Sequence, residues 1–202
     1  MAEEQYYDGL LNIKTSEIQK GFSHSVHYHR YEPTPYSALE KLFEEYTIER
    51  DDHLVDFGCG KGRLNFYVHH VFKASVNGIE MNTLFYKEAV ENRTRYLRKY
   101  KRTGENIQFQ CLTAEQYSVS PLDNKFYFFN PFTLQIFIQV INNILFSFEH
   151  AAREIDLILY YPSSDYIYYL ENKTSFELFK EVRLQDLYEQ NPYEKFLIYR
   201  LA

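Results

Sequence analysis

An α/β fold built on a mostly parallel sheet is predicted by three observations. Apolar runs of strand length alternate with segments of helical periodicity along most of the chain. One of these runs, in His53–Arg63 (HLVDFGCGKGR), turns abruptly into the three glycines Gly58, Gly60 and Gly62. Their backbone can take positive φ and approach a ligand that any Cβ would block. The next strand, Ser75–Glu80, ends in an acid. Glu80 lies about twenty residues past the glycine turn, where a carboxylate can accept both hydroxyls of a bound ribose.

The remaining elements follow in order. Met1–Glu32 lacks clear periodicity and is rich in aromatics and histidine. His27 and His29 flank Tyr28, and on an extended chain both imidazoles point the same way, as a metal pair does. No Asp, Glu or Cys pattern completes a site there, so no metal is assigned. Pro33 and Pro35 set an extended entry, and Thr34 or Ser37 is placed to cap a helix over Ala38–Tyr46. Leu39, Leu42, Phe43 and Tyr46 form its apolar face. Leu64–Phe72 reads as the helix after the glycine turn, with His69 and His70 as surface or C-cap residues near its end. The helix Asn82–Tyr100 carries Phe85, Ala89, Tyr96 and Tyr100 at helical spacing and runs into six basic residues between Arg93 and Arg102. Positive charge there complements the helix dipole, and the run reads as solvated.

Ile107–Leu112 is the third strand, followed by Thr113-Ala114-Glu115, and Lys125–Phe129 is the fourth, ending in Asn130-Pro131-Phe132. Leu134, Phe137, Ile138, Ile141, Leu145 and Phe148 make a helical core stripe. Ile155–Tyr161 is an apolar fifth strand, as expected near the middle of a parallel sheet. A short helix over Tyr166–Leu170 precedes two final strands, Phe176–Val182 and Phe196–Leu201, joined by a polar connection containing Asn191 and Pro192.

Composition bounds the function. The 202 residues suffice for one domain with a short appendage. A net charge of −6 gives no reason to expect non-specific nucleic-acid binding, although a local basic groove stays compatible with it. The chain has 20 Tyr and no Trp, more tyrosine than one core needs, so some lie at the surface or in a pocket. Cys59 and Cys111 have no CxxC partners, which argues against a disulfide framework or a zinc site. MAEEQYYDG has no apolar signal-peptide core, and the most apolar stretch, Phe132–Phe148, is interrupted by Gln135, Gln139, Asn142 and Asn143. A soluble cytoplasmic protein with no membrane partner is expected.

The spacing Asp56-x-Gly58-x-Gly60-x-Gly62 departs from the G-x-G-x-x-G of dinucleotide folds. It resembles motif I of the class I S-adenosylmethionine-dependent methyltransferases, D/E-x-G-x-G-x-G, and the resemblance covers roughly residues 36–202. It implies a Rossmann-like, mostly parallel seven-stranded sheet with helices on both faces and the last strand antiparallel. It also implies S-adenosylmethionine as cofactor. Asp56 would hold the methionine ammonium, directly or through water, and the backbone of Gly58, Cys59 and Gly60 would lie against the methionine and ribose portion. Glu80 and Met81 would sit at the ribose, Thr113 and Ala114 at the adenine, and Asn130 below the transferable methyl. Residues 1–35 become an N-terminal extension that is either a lid over the site or a packed tail.

Asn130-Pro131-Phe132 falls where enzymes that methylate amino or amide nitrogen carry [DN]-P-P-[YFW], which makes these three the candidate catalytic residues. The sequence has one Pro there, with Phe in the next place. The other reading is a turn that ends the strand, with Phe132 in the core. The acceptor, whether small molecule, protein or RNA, is not disclosed, nor is the oligomeric state; nitrogen is favoured as the acceptor atom. A binding module that keeps the pocket as a sensor or partner subunit is the alternative from a different class. The presence of both acids and all three glycines favours the enzyme.

Overall fold

A computed structural model of the chain describes residues 2–16, 32–101 and 106–202. Its seven strands are β1 (His53–Phe57), β2 (Ser75–Ile79), β3 (Ile107–Gln110), β4 (Lys125–Phe129), β5 (Ile155–Tyr160), β6 (Glu177–Arg183) and β7 (Lys195–Leu201). They form one sheet in the order β3-β2-β1-β4-β5-β7-β6. The first five pair in parallel, and β7 runs antiparallel between β5 and β6. This is the expected sheet, last strand included. The helices are α1 (Ala2–Leu11), α2 (Tyr36–Glu45), α3 (Arg63–Phe72), α4 (Thr83–Tyr100), α5 (Leu134–His150), α6 (Ser164–Lys173) and the single turn α7 (Gln185–Tyr188). Among the described residues no helix is long and apolar enough to cross a membrane.

Strand alternation divides the interior into two cores. Leu54, Val76, Tyr127, Ile158 and Ile198 pack with residues of α1, α2, α3 and α4 on one face of the sheet. Val55, Phe57, Phe126, Phe128, Leu157 and Leu159 pack with α5 and α6 on the other. Strand order reverses between β1 and β4, which open a crevice at their carboxyl ends, where ligands of such sheets bind.

Five expectations are corrected. The N-terminal segment contains a helix, α1, which aperiodic sequence had hidden. It is held by tertiary contacts instead of a broad apolar stripe: Leu11 and Ile13 are buried, and Tyr7 stacks on Tyr36 at 4.7 Å. Neither Thr34 nor Ser37 caps α2, because Pro35 occupies the cap position and the Thr34 hydroxyl is spent on Tyr127 Oη at 2.7 Å. His69 is buried, not at the surface, with Nδ1 3.0 Å from Tyr96 Oη. The basic run is partly engaged: Lys99 Nζ donates to the carbonyls of Gly9 and Leu10 at 3.0 and 2.9 Å, so it caps the C-terminus of α1. Finally, β5 is not wholly apolar. Asp156 is fully buried there, accepting from Lys125 Nζ at 2.8 Å, Tyr46 Oη at 2.6 Å and Arg200 Nε at 2.7 Å. The last two partners lie 110 and 44 residues away along the chain.

Candidate functional site

The site begins where β1 stops. Asp56 is the last β1 residue facing the α1–α4 layer, since Leu54 shares its side and Val55 and Phe57 face the opposite core. After Phe57 the chain passes through Gly58, Gly60 and Gly62 at φ of +79°, +54° and +85°. The N–H groups of Gly58 and Cys59 donate to the carbonyl of Ile79 at 2.9 and 3.1 Å, which fastens the turn to the end of β2. Two of these glycines are required by contact as well as by φ. A Cβ on Gly62 would meet the Phe109 ring at 2.6 Å, and one on Gly58 would meet Pro131 Cβ at 2.9 Å. The second distance brings the glycine turn directly against the Asn130-Pro131 turn after β4. Gly62 then caps α3 without offering a side-chain acceptor.

Glu80 lies just beyond β2 and is 8 % exposed. Its carboxylate accepts from Gly60 N at 2.9 Å and from Asn82 N at 2.7 Å. Each oxygen thus accepts from a backbone N–H, and a carboxylate has about four lone-pair sites, so capacity remains for a ligand's donors. Asn82 in turn caps α4, accepting from Leu84 N and Phe85 N at 2.9 and 3.3 Å. The sequence between strand and helix therefore fixes both ends of the carboxylate. Burial raises the Glu80 pKa, and the backbone N–H bonds oppose that rise.

Asp56 is 5 % exposed. Burial first, and then the charge of Glu80, push its pKa up to about 8. Among the described residues no cation acts on it to reverse that shift. Lys61, the cation inside the turn, is buried and paired with Glu88 at 2.8 Å. Two buried carboxyls with no counter-charge on Asp56 among the described residues suit a ligand that brings positive charge and hydroxyl donors. Thr113 follows β3, and its Oγ1 is buried with no hydrogen-bond partner among the described residues. That atom is free to bond a ligand atom. Ala114 beside it is buried, and Met81 is at the exposed rim. Cys59 turns its thiol inward, where burial and then Asp56 push its pKa well up, so the residue is structural.

The three candidate catalytic residues separate. Asn130 is half-buried with φ of +38°, a left-handed conformation at the carboxyl end of β4. Pro131 seats that turn on Gly58. Phe132 is 1 % exposed. Its ring meets Phe128 edge-on at 6.2 Å and its carbonyl accepts from Tyr166 Oη. Of the two readings of Phe132, the core one holds, because the turn sends its side chain under α5 and α6.

Residues that sequence reasoning missed surround the turn. Arg63, the first residue of α3, is buried and cation–π stacked on Tyr36 at 4.5 Å. It donates to Thr15 Oγ1 at 2.8 Å, the Thr34 carbonyl at 3.2 Å and Ser16 Oγ at 3.1 Å, and it pairs with Glu4. Asn92 Nδ2 bridges the carbonyls of Lys14 and Lys61, both at 3.1 Å. Residues 2–16 are thus tied to the glycine turn. An Arg directly after the last glycine of the turn was the one signal for this in the sequence. Residues 17–31, with His27, His29 and most of the expected lid, lie outside the described residues.

Neither a family model nor a curated protein sequence matches the chain. Solved structures do. An RNA methyltransferase from Salinibacter ruber in complex with S-adenosyl-L-homocysteine is similar with a TM-score of 0.55 and 18% identity, covering 84% of this chain and 92% of that one. A Pyrococcus horikoshii protein is similar with a TM-score of 0.59 and 16% identity, covering 99% and 98%. A geranyl diphosphate C-methyltransferase from Streptomyces coelicolor, in complex with S-adenosyl-L-homocysteine, is similar with a TM-score of 0.54 and 10% identity, covering 82% and 77%. Sheet order, glycine turn and these likenesses together identify the architecture of this chain as the class I S-adenosylmethionine-dependent methyltransferase fold.

Proposed function

We propose that the protein is an S-adenosylmethionine-dependent methyltransferase. The observation that carries this reading is the pair of buried carboxyls, Asp56 and Glu80, set on either side of a positive-φ glycine turn, with no cation among the described residues acting on Asp56. The residues fit the cofactor. Asp56 would hold its ammonium, the backbone of Gly58, Cys59 and Gly60 would lie along it, Glu80 would accept from the ribose hydroxyls, and Met81 would flank the ribose at the rim. Thr113 Oγ1 would meet the adenine edge beside Ala114. When bound, the cofactor supplies a methyl group on a positively charged sulfur that leaves without further activation.

The protein's remaining task is alignment. Asn130 can accept from an amino group or donate to an oxygen without becoming charged, which orients a lone pair of the acceptor. Pro131, seated on Gly58, aims that amide, and its placement couples the acceptor turn to the cofactor turn. Nitrogen is the favoured acceptor atom. Structural neighbours that act on RNA and on a prenyl diphosphate share one fold, so the acceptor is set by residues outside the cofactor turn.

Calorimetry with S-adenosylmethionine and S-adenosylhomocysteine tests the first half, and methyl-labelled cofactor incubated with fractionated small molecules, protein and RNA tests the second. Saturable binding and label in one fraction are expected. A folded protein that binds neither compound would refute the reading. Binding without transfer to any fraction would favour a sensor or partner subunit.

A further inference from the structure

Asn92, on α4, is 1 % exposed and spends its side-chain amide completely. Its Oδ1 accepts from Lys14 N at 2.9 Å and from Arg95 Nη1 at 3.0 Å. Its Nδ2 donates to the carbonyls of Lys14 and Lys61, both at 3.1 Å. A primary amide offers two acceptor and two donor positions, so all four are taken. Toward Lys14 it acts as a peptide group does in an antiparallel pair, meeting both the N–H and the C=O of one residue. Toward Lys61 it holds a carbonyl inside the glycine turn.

A turn rich in glycine has much backbone freedom to lose, so its shape depends on what holds it. The first half is fastened to the end of β2 through Ile79 and Glu80. The second half is fastened to α4. Lys61 is buried, its Nζ pairs with Glu88 at 2.8 Å, and its carbonyl is held by Asn92, about one helical turn further on. The same helix starts beside Asn82, whose N–H donates to Glu80 at 2.7 Å. One rigid element thus connects the ligand-facing carboxylate, the cofactor turn and Lys14. The segment around Lys14 is held mainly by polar contacts. Among the described side chains of residues 3–16, Leu11 and Ile13 are the buried apolar ones. Thr15 and Ser16 are held by Asp8 and by Arg63, which directly follows Gly62. Segments with few buried apolar contacts open locally at low cost.

We propose that Asn92 is a positioning residue for the cofactor turn, through which the docking of residues 13–16 and the binding of S-adenosylmethionine strengthen each other. This rests on the methyltransferase reading. A cofactor seated on the turn fixes the Lys61 carbonyl, the fixed carbonyl orients the Asn92 amide, and the oriented amide grips Lys14. In the other direction, a docked segment presents the turn already in its binding shape. Coupling of this kind is reciprocal, and factors of about 5 to 150 are usual.

The test is amide hydrogen exchange of the full chain with and without saturating S-adenosylhomocysteine, together with calorimetry of the same compound. The N–H groups of Ile13, Lys14 and Thr15 donate to the Asp8 carbonyl, to Asn92 and to the Asp8 carboxylate. Their exchange should slow about tenfold on binding. A segment that only completes the fold would open at the same rate in both states. Asn92→Asp keeps the two acceptor bonds and gives up both donations, so it should bind S-adenosylhomocysteine about tenfold more weakly and show no ligand-dependent slowing in this segment. Equal exchange in the native chain with and without the compound would overturn the proposal. Native affinity in Asn92→Asp, or slowing that persists there, would overturn it too. The exchange comparison on the native chain stands whether or not the variant folds. Failure of S-adenosylhomocysteine to bind the native chain would instead overturn the reading beneath, a result distinguishable from the others.

Discussion

Asp56 should make cofactor binding depend on pH. Its carboxyl is moved from 3.8 to about 8 by burial and by Glu80, so in the free protein it is mostly protonated at neutral pH. An ammonium prefers the ionised form, and its arrival therefore expels a proton. Because the free site binds that proton and the complex does not, affinity rises with pH up to the free-state value. The cost at pH 7 is one pH unit below 8, about 1.4 kcal/mol or roughly tenfold in affinity, and it grows by the same amount at pH 6. Isothermal titration of S-adenosylhomocysteine between pH 5.5 and 7.5 should give a slope near one in log affinity against pH, about a hundredfold in all. Buffers of different ionisation enthalpy should report release of close to one proton. Asp56→Asn should bind weakly and lose most of this slope, Glu80 supplying the remainder. A flat profile in the native protein would refute the argument, because it would mean either that Asp56 is already ionised or that no cation approaches it.

Glu80→Ala should weaken S-adenosylhomocysteine binding by about 1–3 kcal/mol, the usual cost of losing charge-assisted hydrogen bonds, and calorimetry showing unchanged affinity would remove the ribose assignment. Asn130→Ala should bind cofactor almost normally yet turn over about a hundredfold more slowly, since alignment matters in the transition state; full activity toward an identified acceptor would reduce Asn130 to a strand terminator. Asp156→Ala should cost about 3–5 kcal/mol in denaturant unfolding, because Lys125 and Arg200 would lose their buried partner. Hydrogen bonds from Arg200, Lys125 and Tyr46 outweigh burial and hold the Asp156 pKa below 3.8. Its stabilisation is therefore present above that value and lost as pH falls through the lower folded one, so the variant should lose the acid-side limb of the stability profile.

Much of the architecture was legible because it is local. The period of two in β1 and β2, the helical periods after them, and the acid about twenty residues beyond the glycines are properties of contiguous sequence, and each element formed close to its expected span. Gly58, Gly60 and Gly62 declared their own backbone conformation, since no other residue takes such φ at so little cost. From these the parallel sheet and the roles open to Asp56 and Glu80 follow, whereas the antiparallel last strand came from the resemblance and the strand order from the structure. What the tertiary structure alone decided are the pairings of residues far apart in the chain. The docking of α1 depends on Arg63, Asn92 and Lys99, and no period within Met1–Glu32 encodes partners 47 to 90 residues away. Asp156 could pass for a blemish in an apolar strand until Tyr46 and Arg200 were brought to it. The ring of Phe132 turned inward because α5 and α6 left it a core to fill. Sequence period sets which face a side chain takes; which partner waits on that face is set by how the layers close.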